Sequence, residues 1–329
     1  MDLRKILEAE TFLILTHVRP DGDAISSSLA FWILLVSLGK KPENIEVFVP
    51  FVSKDLSFID KENVLKQNCV IKKHDLVIIL DCSDYSRIEG LELLKVVSPQ
   101  DIILIDHHEI SENLIEAETS VTDATASSCT CILYREFYMY VCEKDRKAFL
   151  NNVAIGIMSD TISLTLNVTA ECKEILSLCQ KKGIDIRVIG EQLKNIDITT
   201  QRLANISINR LVVEKEISCT YILQQDLKKE ECTLETLNHK AIIQQILASV
   251  SCKTLILLIE NDNHEFKGSM RTIAGIDLNE ICGYMVEKKI FLQGGGHSNS
   301  AGFKVPILGT TLETVNQIFR ILVSVLSDC

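Results

Sequence analysis

Eight side chains able to bind a cation or carry a proton stand just past short apolar runs in the first half of the chain. His17, Asp21 and Asp23 follow TFLILT in HVRPDGDA, and Asp81 follows DLVIIL. Asp106, His107 and His108 follow DIILI, and Asp160 follows the apolar segment Val153–Ile157. Taken singly, an aspartate after a strand is a turn residue or a helix N-cap, and Asp21 or Asp23 would cap a helix beginning near Ala24. Convergence changes that. Gathered at one rim, the carboxylates of Asp21, Asp23, Asp81 and Asp160 would raise one another's pKa and need a counter-charge. A pair of divalent metal ions supplies it. An oxygen-rich donor set with the imidazoles of His17, His107 and His108 and no thiolate suits Mn2+ better than structural Zn2+.

The elements that must position these groups follow from periodicity. TFLILT reads as a buried strand, then a turn at Pro20–Gly22 and a helix from Ala24 to Leu38 that Gly39 stops. Ile45–Val49, Asp75–Leu80 and Asp101–Ile105 are further short β-branched runs, apolar on both faces as strands of a covered parallel sheet are. The alternation with helical segments predicts an α/β fold with a doubly wound parallel-sheet N-terminal domain. In such a sheet the loops beyond the carboxyl ends of the strands share one crevice. Ala126–Cys142 and Lys144–Ile157 read as helices, and 170–208 as successive helices broken at Gly183 and Gly190. We therefore expect a first domain over 1–190, a helical linker over 191–212 and a second, smaller α/β domain over 213–329. In the second, Ile217–Leu223, Thr254–Ile259 and Phe266–Arg271 are strand candidates, His239–Val250 and Leu312–Leu326 helices, and Gly294–Gly296 a loop.

Composition narrows the function. With 34 basic and 45 acidic residues the net charge is −11, against a surface that coats long nucleic acid by neutralising phosphates. No apolar stretch approaches the ~20 residues of a membrane span. MDLRKILEAE is not a signal peptide, so a cytoplasmic protein is expected. The 12 cysteines include no C-x-x-C pair and are expected as reduced core residues.

HVRPDGDA, the DCSD at Asp81–Asp84, the DHH at Asp106–His108 and the SDT at Ser159–Thr161 resemble, in order, the four motifs of the DHH phosphoesterase superfamily. SMR at Ser269–Arg271 and GGGH at Gly294–His297, followed by Ala301-Gly302, resemble the DHH-associated C-terminal domain. The resemblance spans nearly the whole chain, and the domain pairing is similar to the nano-RNase and pAp-phosphatase branch. It implies two Mn2+ ions, with Mg2+ or Co2+ as alternatives. One would be held by His17, Asp21 and Asp81, the other by Asp23, Asp81, His107 and Asp160, with Asp81 bridging. Metals so placed activate water and stabilise attacking and leaving oxygens at phosphorus. Catalytic roles fall to Asp81, to His108 as a phosphate contact, and to Asp106, which either orients a histidine or is a simple turn carboxylate. An extended chain would turn His107 and His108 apart.

The same resemblance assigns substrate binding to Arg271, His297 and the backbone of Gly294, Gly295 and Gly296. Glycines let N–H groups approach an anion, and an arginine grips phosphate by two bonds. The implied activity is hydrolysis of short oligoribonucleotides (nanoRNA) or of 3′-phosphoadenosine 5′-phosphate (pAp). Cyclic di-AMP or pApA hydrolysis, pyrophosphate hydrolysis and non-catalytic nucleotide binding are the alternatives. Long nucleic acid and membranes are not expected as partners; a homodimer is left open. Ser26, Ile162, Leu164 and Gln293 depart from the family pattern, Ser26, Ile162 and Gln293 where glycine is usual, without touching a ligand position.

Overall fold

The apolar runs of the first half are strands covered on both faces. The computed structural model describes residues 3–68, 74–88, 97–109, 113–234 and 236–327. Its contacts divide the chain into two units, Met1–Asn195 and Ile196–Cys329. In the first, β1 (Phe12–Leu15), β2 (Ile45–Phe48), β3 (Leu65–Lys66), β4 (Leu76–Leu80), β5 (Ile102–Asp106) and β6 (Thr119–Thr122) form one parallel sheet in the order β3-β2-β1-β4-β5-β6. Alternate residues serve opposite faces: Phe12, Ile14, Ile78 and Leu80 enter one apolar cluster, Leu13, Leu15, Val77 and Ile79 the other. The order reverses between β1 and β4, so the loops leaving those two strands part and open a crevice.

Helices α1 (Arg4–Glu8), α2 (Gly22–Ser37), α3 (Cys129–Phe137), α4 (Arg146–Asp160), α5 (Ala170–Lys181) and α6 (Ile186–Lys194) all feed the first cluster. There Phe31 of α2 meets Phe137 of α3 edge to face, with ring centroids 5.5 Å apart. The opposite cluster is closed by Cys82, Ile88 and Ile115. Two local expectations change. α3 ends at Phe137 in a short 3-10 turn, Tyr138–Tyr140, rather than running to Cys142. Gly190 lies inside α6 rather than breaking it, because a Cβ there would come within 3.3 Å of Met158 Cε; close packing on α4 selects the glycine.

The second unit holds a mixed sheet of β7 (Val212–Glu214), β8 (Ile217–Ile222), β9 (Thr254–Glu260), β10 (Glu265–Thr272), β11 (Gln293–His297) and β12 (Ser300–Pro306), ordered β11-β12-β10-β9-β8-β7. Only β8 and β9 pair in parallel. α7 (Ile198–Asn209), α8 (Gln224–Lys229) and α9 (His239–Ser249) pack on one face, α10 (Leu278–Glu287) and α11 (Thr311–Ser327) on the other. Much of the expected linker is α7, whose Leu203 and Ala204 are buried with Ile242 and Ile246 of α9. Its apolar face is what draws this segment into the second unit, so the division falls before it.

The glycine run is a strand, not the loop expected. β11 pairs antiparallel with β12, setting Gly295 opposite Gly302. Gly296 has φ 153°, and a Cβ there would lie 2.4 Å from the Ser300 carbonyl oxygen; only glycine fits that close approach. No described helix is long and apolar enough to cross a membrane. Ten described cysteines are free thiols, seven of them buried.

Candidate metal centre

Each acidic group reaches the crevice by a different local device. After β1 the chain makes an isolated bridge between His17 and Ile88, which carries His17 to the end of β4; its Nε2 lies 3.6 Å from Asp81 Oδ2. Asp21 caps α2, its Oδ1 accepting from the backbone N–H groups of Asp23 (2.9 Å) and Ala24 (3.2 Å). Capping and ligation are compatible, since Asp21 still offers an oxygen within 4.8 Å of donor atoms on His17 and Asp81. Asp23, fully buried in the first turn of α2, accepts at Oδ2 from the Cys129 N–H (2.6 Å) and at Oδ1 from the Thr130 N–H (3.2 Å) and hydroxyl (2.8 Å). Those are the first N–H groups of α3, so a helix N-terminus stabilises this carboxylate. Asp81 follows β4 in the left-handed region, φ 58°, at a cost of about 1–2 kcal/mol for an ordinary L-residue and less for Asp. Its N–H donates to the Ile105 carbonyl (2.9 Å).

Asp160 arrives from the end of a helix, α4, rather than a strand. α4 comes this close because glycines line its crossing with α2. A Cβ on Gly156 would stand 2.3 Å from both Asp23 Oδ1 and Thr130 Oγ1, and one on Gly22 would stand 2.5 Å from Ser159 Oγ. Beyond Asp160, residues Ile162, Ser163 and Leu164 have φ of 47°, 52° and 66°. A β-branched residue is strained there, at the position where the family pattern has glycine.

His107 is held by its Nδ1, 3.3 Å from the Ala126 carbonyl. Its Nε2 lies 2.9 Å from Asp160 Oδ2, 3.2 Å from Asp81 Oδ1 and 3.9 Å from Asp23 Oδ2. His108 does not turn away: its ring centroid is 4.6 Å from that of His107, and its Nδ1 is 3.6 Å from Asp81 Oδ1. β5 ends at Asp106, so strand alternation no longer applies. Instead the buried Asp106 Oδ1 accepts from the His108 backbone N–H (3.2 Å) and lies 2.7 Å from Nδ1, drawing the ring back. The eight groups form three overlapping sets of potential ligands: His17, Asp21 and Asp81; Asp23, His107 and Asp160; Asp81, His107 and His108; Asp106 stands behind the last.

Burial opposes the charge of Asp23, Asp81, Asp106, His17 and His107. It pushes the Asp23 carboxyl well above the usual range, and Asp81 and Asp160 add to that. Burial also disfavours the Asp81 carboxylate, but hydrogen bonds from His107 and His17 outweigh it and hold Asp81 well below the usual range. Burial and the charge of Arg87 lower His17, keeping its imidazole neutral. For His107 burial is overcome by Asp160 and Asp81, which raise it well above the ordinary value. Asp106 is lowered because His108 outweighs burial. Burial pushes Cys82 up to about 12 and Cys129 well above its usual value, so neither neighbouring thiol supplies a thiolate. Among the described residues, the three candidate ligand sets consist of carboxylate oxygens and imidazole nitrogens, a donor set that fits divalent cations.

The remaining sequence-derived residues belong to the second unit. Arg271 on β10 is opposite Ser300 on β12, which is opposite His297 on β11. The Gly296 N–H already donates to Asn279 Oδ1 (3.1 Å), and an Arg271 Nη1–H donates to the Met270 carbonyl (2.7 Å). Residues missed from the sequence are Arg87, six positions after Asp81, Thr130, which holds Asp23, and Gly156. A glycine inside the apolar helical run NVAIGIMSD was a usable sign of close helix approach.

Residues 11–157 match the family model described as the DHH family, N-terminal domain. A relative from Onion yellows phytoplasma (strain OY-M), a membrane protein–large ribosomal subunit bL9 fusion protein, is 23% identical over 93% of this chain; the chain spans 36% of that protein's length. The bifunctional oligoribonuclease and PAP phosphatase NrnA of Mycoplasma genitalium is 23% identical, with 91% of this chain and 90% of that protein aligned. A crystal structure of an exopolyphosphatase-related protein from Bacteroides fragilis shares the fold at a TM-score of 0.77, with 22% identity over 97% of this chain and 93% of that one.

The packing and charge of the cluster can each be tested. Gly156→Ala should destabilise the fold by about 1–3 kcal/mol in denaturant titration and weaken Mn2+ binding, because the new methyl displaces Asp23. A variant as stable as wild type would show that α4 is not so tightly seated. A cation taken up at His107 would have to displace its proton, so affinity for added Mn2+ should fall as pH drops below the raised pKa of His107. The slope is about tenfold per pH unit for one proton; calorimetry in buffers of different ionisation enthalpy reads the release directly.

Proposed function

We propose that this chain, whose residues 11–157 match the family model described as the DHH family, N-terminal domain, is a divalent-metal-dependent phosphoesterase that hydrolyses short oligoribonucleotides and pAp in the cytoplasm. The observation that carries the reading is the sharing of Asp81 between two of the three ligand sets, at the point where the strand order reverses. On this reading His17, Asp21 and Asp81 hold one cation, and Asp23, Asp81, His107 and Asp160 the other. Bound Mn2+ supplies counter-charge and Lewis acidity at phosphorus. His107 uses the Ala126 carbonyl to direct Nε2 at the carboxylates, and enters this role neutral. His108, with 30% of its side chain exposed, is the member of the cluster open to substrate. Its Nδ1–H is engaged by Asp106, which fixes the ring for contact with a phosphoryl oxygen. Arg271 and His297 of the second unit bind a substrate phosphate, a role in keeping with the M. genitalium relative that matches both units.

Purified protein with Mn2+ is expected to release mononucleotide from a five-nucleotide RNA and phosphate from pAp, scored beside pApA, cyclic di-AMP and pyrophosphate. Release from none of them overturns the reading. Asp81→Asn should cost at least ~10^3 in kcat, as loss of a shared ligand removes both cations. Wild-type turnover in that variant would mean Asp81 is not shared. His108→Asn should lower kcat while leaving Mn2+ affinity within about threefold, since His108 is assigned to substrate.

A further inference from the structure

Three loops of the first unit's crevice are laced together by main-chain hydrogen bonds, and an arginine stands where they meet. Past β4 and Asp81 the chain forms a 3-10 turn, Tyr85–Arg87, capped by Asp84, whose Oδ1 accepts from the Ser86 N–H (2.7 Å). The loop after β1 donates the Val18 N–H to the Arg87 carbonyl (2.7 Å), beside the bridge between His17 and Ile88. The chain after β5 grips the start of the same segment. There the Tyr85 N–H donates to the Asn113 carbonyl (3.1 Å) and the Ile115 N–H to the Ser83 carbonyl (2.8 Å). Ile88 and Ile115 are then buried together with Cys82. Arg87 is thus fixed between the loops that carry His17 and His107, with main-chain bonds at both ends of its turn. A side chain on such a support keeps its aim.

The guanidinium lies near the candidate metal centre without joining it. Its charge acts on His17, which contacts Asp81, and on Cys82, which follows Asp81 in the chain. Arg87 is half-buried, yet among the described residues its side chain makes no hydrogen bond or ion pair. Arg135, Arg146, Arg187, Arg202 and Arg210, by contrast, each reach a carboxylate. Five N–H donors left open in a planar fork suit an incoming anion with several oxygens. The charge balance makes room for one. Two divalent ions cancel the four carboxylates of the ligand sets when the imidazoles are neutral, so a phosphoryl group brings negative charge that the centre itself does not neutralise. A permanently protonated arginine at the rim supplies the missing charge, in a half-buried setting where it counts for more than in water.

We propose that Arg87 is a catalytic residue of the first unit, gripping an oxygen of the phosphate being hydrolysed while that phosphate sits on the metal pair. The inference rests on the phosphoesterase reading for the reaction. The test compares the full chain with R87Q and R87K in two measurements, kcat/KM for pAp with Mn2+ and calorimetric affinity of the Mn2+-loaded chain for inorganic phosphate. In R87Q, kcat/KM should fall ~10^2-fold, the loss typical of one charge-stabilising donor. Phosphate affinity should fall roughly tenfold. R87K keeps the charge but loses the fork, and should lie between R87Q and wild type. Mn2+ affinity should stay within about threefold and thermal melting should match wild type, because Arg87 is assigned to substrate. Methylguanidinium added to R87A should restore part of the lost rate, which a merely structural side chain would not give. Wild-type kcat/KM and phosphate affinity in R87Q would overturn the inference. So would a loss of Mn2+ affinity or melting temperature that accounts for the lost rate, or a wild-type chain that binds no phosphate. Where R87Q fails to fold, R87K carries the test, and wild-type values in it overturn the inference. Arg87-dependent phosphate binding by a chain that hydrolyses nothing would leave this contact standing and remove the phosphoesterase reading. Hydrolysis of pAp with R87Q unchanged would do the reverse.

Discussion

The first unit is organised around a carboxylate held at a helix N-terminus. Asp23 belongs to α2, yet its oxygens accept from Cys129 and Thr130 at the start of α3, more than a hundred residues away in sequence. Gly156 of α4 then closes over the same carboxylate, with no room for a methyl group. One acidic group thereby fixes the mutual approach of three helices. It does so with backbone donors aligned along a helix dipole, the least mobile counter-charge a protein possesses. Asp160 and His107 can be aimed at that point only because the framework beneath is rigid.

That arrangement sets stability against function. Burial and the nearby Asp81 and Asp160 carboxylates raise the cost of ionising Asp23, whereas at Asp81 the imidazoles of His107 and His17 outweigh burial. The imidazoles offset part of it, His107 most of all, standing between Asp160 and Asp81 as the local cation. A divalent ion balances the same carboxylates with two charges in place of one and leaves His107 neutral. The cluster is therefore a site whose own residues are better matched with a metal than with protons, and binding energy and folding energy are linked through it.

Much of this is legible in the sequence because parallel sheets obey a strong rule. Residues after successive apolar strands must share a rim, so His17, Asp81 and Asp106–His108 group together without coordinates. Asp21 presents as either cap or ligand, and the two uses prove compatible. Legibility fails where a side chain's surroundings, rather than its own pattern, decide the outcome. The glycines of Gly294–Gly296 have loop-like composition, but the backbone of β12 lies close enough to recruit them as an edge strand. Gly190 resembles a helix breaker and is instead the flat spot on which Met158 rests. α7 reads as part of a linker because its helical pattern does not announce which core its apolar face will meet. His108 would point away only if strand alternation ran on past the end of β5, and the Asp106 carboxylate holds it otherwise.

The two units also divide the electrostatic work of handling a phosphorylated ligand. On the proposed reading, carboxylates gathered in the first unit repel a phosphate until cations cover them, whereas Arg271 of the second unit carries the opposite sign. A chain of net charge −11 has no general affinity for polyanions, so any attraction must come from a local basic patch. Arg271 and His297 lie on one face of three neighbouring strands, a patch a few residues long.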